Sequence, residues 1–178
     1  MRGRVTALLY DEDGSLAQRL EFSNLITTAG LGHYMDAVSD SIGGGSTPTL
    51  VYAAMALGTT AGTPAAPNAA NDLGDVGLVA AAGLRNLDSG YPKVNDTDTE
   101  NTGKGLEVFT YKGTYGPGVY TNTDVSDVAI TTTAAVYVGG GGETDNILMH
   151  AEFDTIINKT AGQTLVVYVN HSLIDDGV

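Results

Sequence analysis

The last quarter of the chain carries its clearest pattern of apolar and polar positions. Over Ile147–Phe153 and again over Thr164–Ile174, apolar residues interleave with Thr, His, Asn and Ser, and the turn signal Ala161-Gly162-Gln163 lies between them. Phe153, Ile156, Leu165 and the run Val166–Val169 are material for a core, and the polar residues suit the other face of a pleat. The pattern predicts two neighbouring β-strands. It is a pattern for packing, not for catalysis.

The same alternation recurs upstream. Arg4–Tyr10 predicts a strand, Asp11–Gly14 a turn whose glycine admits positive φ, and Ser15–Phe22 the returning strand. Ser23 or Asn24 then offers a helix N-cap, and Leu25, Ile26, Ala29, Met35 and Val38 fall near helical spacing over Leu25–Val38. Gly30 and Gly32 weaken that helix. Thr49–Leu57 is apolar on both faces, which predicts an interior strand, whereas Ser41–Pro48 and Gly58–Asn71 read as loops rich in Gly, Ala and Pro. Leu78–Leu87 fits a strand or a short helix, Ser89–Lys104 a polar loop, and Glu107–Tyr115 and Val128–Val138 two further strands. The sum is a mainly β chain: an antiparallel, jelly-roll-like β-sandwich with one short helix near the N-terminus.

Composition narrows the picture. A chain of 178 residues, 42% hydrophobic, suits one β-rich domain over 1–178 with a sizeable core. No apolar run approaches the ~20 residues of a membrane helix. The opening Met1–Tyr10 is too briefly apolar for a secretory signal and reads as the start of a soluble protein. Without cysteine there is neither a disulfide framework nor a thiolate site. A net charge of −13 opposes binding to a phosphate backbone, so no nucleic-acid partner is expected. The charge is uneven: Arg2, Arg4 and Arg19 crowd the start of a chain with only 8 basic residues. That segregation marks 1–22 as a docking hairpin or arm, with Arg2, Arg4 and Arg19 meeting an acidic partner and Val5, Leu8 and Leu9 supplying apolar burial.

Candidate chemistry adds little. His33, His150 and His171 stand apart; His150 and His171 fall in the two strands predicted as neighbours, yet no Glu-x-x-His or His-x-His spacing accompanies them. They read as strand histidines on a polar face. Asp96, Asp98 and Glu100, with Glu107 at the twelfth place, mimic the spacing of a calcium loop, but Asn101 stands where the sharp turn wants Gly. Asp11, Glu12 and Asp13 form a second acidic turn. Both read as solvated loops, so no metal and no cofactor is expected. Neither a phosphate-binding glycine loop nor a nucleophile elbow occurs, and the expectation is that the chain is not an enzyme.

Three stretches together resemble a layout found in small virion proteins of tailed bacteriophages. They are Phe22-Ser-Asn-Leu-Ile-Thr-Thr-Ala-Gly-Leu31, the strand and loop running from Tyr52 through Gly58-Thr-Thr-Ala-Gly62 to Ala66, and Phe153 followed by Ile157-Asn-Lys-Thr-x-x-Gln-Thr-Leu-x-Val-Tyr168. The resemblance implies a capsid decoration (cement) protein. Such a protein would bind the major capsid protein on the outside of the head as a homo-oligomer, with a trimer favoured. The loop around Pro64 and Pro67 joins the arginines as a candidate contact. The alternative is a tail or fibre component that recognises host glycans, with Tyr91, Tyr115 and Tyr120 stacking on sugars.

Overall fold

The computed structural model describes residues 2–26, 28–41, 51–59, 83–94, 108–132 and 147–172. The elements are β1 (Arg2–Tyr10), β2 (Leu16–Ile26), α1 (Thr28–Ser41), β3 (Ala54–Thr59), β4 (Leu84–Asn86), β5 (Lys93–Val94), β6 (Val108–Tyr115), β7 (Asn122–Thr131), β8 (Ile147–Lys159) and β9 (Thr164–Ser172). Every strand pairing is antiparallel, and the spatial order is β4-β3-β7-β8-β2-β1-β9-β6-β5. This is the antiparallel β-sandwich with one short helix that the alternation predicts.

Strand β2 makes the corner. Its body pairs with β1 from Gly3↔Asn24 to Tyr10↔Leu16, and its last residues, Leu25 and Ile26, pair instead with His150 and Met149 of β8. One sheet is therefore β2-β1-β9-β6-β5 and the other β4-β3-β7-β8, with β2 passing between them. Alternation then decides the core. Val5, Ala7 and Leu9 of β1, Leu165, Val167 and Val169 of β9, and Tyr111 and Tyr115 of β6 face Met55, Leu57, Val128, Ile130, Met149, Ala151 and Phe153 from the second sheet. Phe22 closes the corner against Phe153 at 4.6 Å between ring centroids.

The two ends of the sandwich are tied differently. At one end three turns meet: Gln163 Nε2 donates to Asp11 Oδ1 at 2.8 Å, Gly118 N to Ala161 O at 2.7 Å, and the buried Lys159 Nζ to Gly116 O at 3.0 Å. The Asp11–Gly14 turn forms as expected, with Gly14 at φ 83°. At the other end α1 lies on β8 so closely that a Cβ on Gly30 would collide with the backbone carbonyl of Leu148. The glycine that weakens the helix by propensity is what lets it seat.

Several boundaries differ from expectation. The helix begins at Thr28, not Leu25, because Ser23 and Asn24 remain in β2 opposite Arg4 and Gly3 rather than capping a helix. β8 runs on to Lys159, and the strand expected over Val128–Val138 is β7, which starts at Asn122. β8 and β9 are joined by a tight turn but lie in different sheets, so His150 and His171 are not on neighbouring strands. Residues 2–22 form the expected hairpin, β1 with β2, but it does not stand free as an arm: β1 sits between β2 and β9, in the interior of its sheet.

Candidate functional site

The outer face of the second sheet collects charge where none was expected to be buried. Register places Gly58, Asp127 and Glu152 in one row across β3, β7 and β8, and Ala56, Ala129 and His150 in the next. Asp127 and Glu152 are directly opposed, the closest side-chain relation a sheet offers, and His150 lies one row away on the same face. All three are buried, at 0%, 5% and 0% exposure for Asp127, Glu152 and His150. One donor atom from each residue lies within 4.8 Å of the others. In the same two rows Gly58, Ala56 and Ala129 offer little or no side chain.

Within the cluster His150 Nε2 is 3.3 Å from Asp127 Oδ1, and Ser126 Oγ donates to Asp127 Oδ2 at 2.6 Å. His150 Nδ1 and Glu152 Oε2 are buried with no hydrogen-bond partner among the described residues. Burial raises the Glu152 carboxyl above the usual carboxylate range; His150 opposes the rise and Asp127 adds to it. Two opposed carboxylates out of water repel each other, and an unpaired buried carboxylate oxygen is costly. The arrangement therefore calls for a compensating positive charge: a shared proton or a cation.

A second buried polar set lies between the sheets beneath α1. His171 of β9 is 3% exposed and engaged at both ring nitrogens. Asn24 Nδ2 lies 2.8 Å from Nε2, and Tyr34 Oη lies 2.6 Å from Nδ1 and 2.9 Å from Tyr111 Oη. With the Asn24 amide donating to Nε2, the proton sits on Nδ1 and is donated to Tyr34, whose hydroxyl passes the chain to Tyr111. Burial pulls the His171 pKa down to about 3 and pushes both tyrosines well above their ordinary value. This set is structural: a neutral hydrogen-bonded string that fastens α1 to the sandwich.

The sequence-selected residues are placed as follows. Val5, Leu8 and Leu9, expected to face a partner, are buried at 0%, 5% and 4% exposure, which corrects their role to holding the sheet. Releasing three such side chains costs roughly 1.5–3 kcal/mol each, comparable with the whole stability of a domain. Arg4 and Arg19 stay at the surface, 49% and 43% exposed, and both reach Glu21. Arg2 belongs to β1 by its backbone, opposite Ser172. Of the tyrosines, Tyr115 and Tyr120 are buried, and Tyr115 Oη donates 3.1 Å bonds toward Met55 O and Gly83 O; Tyr91 is partly exposed, with the Lys93 ammonium 4.5 Å from its ring centroid. His33 meets Tyr52 edge to face, with 4.8 Å between ring centroids. Asp13 serves its own turn, its Oδ1 accepting from Ser15 N at 2.9 Å, whereas Asp11 Oδ1 accepts from Gln163 Nε2 of the β8–β9 turn. Pro64, Pro67, Asp96, Asp98, Glu100 and Glu107 lie outside the described residues.

Sequence reasoning missed the Asp127–His150–Glu152 cluster. The available signal was His150-x-Glu152, a two-residue spacing that puts both side chains on one face of a strand. What hid it was the assumption that this face is solvated. No family model, curated protein or solved structure matches the chain.

Proposed function

We propose that this chain is a structural protein of a tailed-phage particle, a decoration protein seated on the outside of the head as a homo-oligomer against the major capsid protein. The observation that carries the reading is where the three phage-like stretches fall in the fold. Phe22–Leu31 is the crossing of β2 from one sheet to the other and the start of α1; the stretch from Tyr52 supplies β3; Phe153–Tyr168 is the passage from β8 to β9, again between sheets. These are the points that determine how a sandwich closes, so the resemblance, as we read it, is one of architecture.

The half-exposed Arg4 and Arg19 remain candidates for docking on acidic capsid surface, each already near Glu21. The glycan-binding alternative is weakened because two of its three stacking rings, Tyr115 and Tyr120, are buried. Cryo-electron microscopy of particles encoded with this chain, compared with particles lacking it, tests the reading. Extra density on the outer head, with three-fold clusters for a trimer, is expected. Density confined to the tail, or identical particles, overturns it.

A further inference from the structure

We propose that Asp127, His150 and Glu152 bind one divalent transition-metal cation, with zinc and manganese the chemistries that suit the set. The proposal is independent of the virion reading.

The first support is placement. The three ligands project from two paired strands in the middle of a sheet, with register partners Asp127↔Glu152 and Ala129↔His150, so their positions are fixed by backbone and not by a loop. Donor atoms already within 4.8 Å of one another need only small rotations to close on an ion at the usual ~2.0–2.2 Å. The second support is the unmet bonding. His150 Nδ1 and Glu152 Oε2 are polar atoms of side chains at least 95% buried, and neither has a hydrogen-bond partner among the described residues. The third is charge: two ionised carboxylates and a neutral imidazole carry −2, which a dication cancels.

Ligand type decides between cations. An imidazole beside two carboxylates favours zinc or manganese over calcium or magnesium, which prefer an all-oxygen shell. Ser126 Oγ, donating to Asp127 Oδ2, orients that carboxylate and leaves Oδ1 facing His150, the outer-shell support such sites use. Because the cluster is buried, the ion is taken up with folding and its affinity adds to stability.

Tag-free protein, stripped with a chelator and dialysed, is titrated with ZnCl2 and separately with MnCl2 by calorimetry, with thermal melts in parallel. One equivalent of either cation per chain and a raised Tm are expected. Glu152→Gln keeps shape while removing a charge, and is expected to weaken binding at least about tenfold. Co2+ loaded into the parent protein reads ligation without any variant, since a bound imidazole gives strongly shifted ring-proton resonances. Failure of both cations to bind at one equivalent overturns the proposal in favour of a shared proton. Binding undiminished in Glu152→Gln, or Co2+ spectra without a shifted imidazole, overturns it in favour of cations on the acidic surface.

Discussion

At the scale of single residues, the most informative position is Gly3. It lies between Asn24 and His171 in one row across β2, β1 and β9, and its missing side chain is what lets the Asn24 amide cross β1 to reach His171. A Cβ there would displace the amide, whose Nδ2 would be 2.6 Å away. Gly3→Ala should therefore strip a buried imidazole of a hydrogen bond and destabilise the protein by about 1–3 kcal/mol, although alanine suits a strand better than glycine. Denaturant unfolding checks this, and a stability within a few tenths of the parent would refute it. The pH response follows from the same residue. Folded His171 has its pKa lowered to about 3 from an ordinary 6.5, so the unfolded chain binds a proton more readily between those values. Its contribution is intact above about pH 6.5 and is lost as pH falls toward 3, on the order of a few kcal/mol in all. An NMR titration in which the His171 ring protonates near pH 6 would contradict it. None of this was legible from sequence: Asn24 reads as a cap, and its real partner is 147 positions away.

At the scale of elements, the sequence was legible wherever one face met the core. β1 and β9 place Val5, Ala7 and Leu9 and Leu165, Val167 and Val169 at every second position on the core face, and these positions stand in register with one another and with β6, as Val5↔Val169 and Tyr111↔Val169 illustrate. Legibility failed where tertiary contacts override local preference. The helix signal at Leu25 and Ile26 lost to strand pairing with β8, and the interruption of β8 where Val125 pairs with Ile157 but Asp127 with Glu152 leaves no trace in hydropathy. Gly30 sharpens the contrast between propensity and packing. Alanine is worth about 1 kcal/mol over glycine inside a helix. Yet at Gly30 its Cβ would meet the Leu148 carbonyl, with that group's carbon only 2.9 Å away, and backbone cannot swing aside as a side chain can. Lifting α1 also strains the Tyr34 contacts to His171 and Tyr111. Packing should win: Gly30→Ala is expected to lower stability by about 1–3 kcal/mol. A thermal melt showing a higher Tm would mean that the helix does not sit on β8.

At the scale of the whole molecule, the question is what a net charge of −13 does to a small sandwich. The fold was legible because composition and alternation agree on it; the buried charge was not, because composition counts acidic residues without saying which face they occupy. Asp127 and Glu152 take part of that negative charge indoors, and the remainder repels itself across the surface. Salt acts on the two sides of this balance unequally. It screens repulsion among many carboxylates, spread over distances comparable with the Debye length of about 10 Å at 0.1 M. It also weakens the attraction of Arg4 and Arg19 for Glu21, but these are half-exposed pairs worth less than about 1 kcal/mol each. Relief of repulsion should exceed loss of attraction. Raising sodium chloride from about 0.01 M to about 0.3 M at neutral pH is therefore expected to raise Tm by a few degrees. Scanning calorimetry of the metal-stripped protein is the measurement, since a bound dication would remove part of the charge being screened. A Tm that falls with salt would show that ion pairs, and not self-repulsion, dominate the electrostatics of this fold.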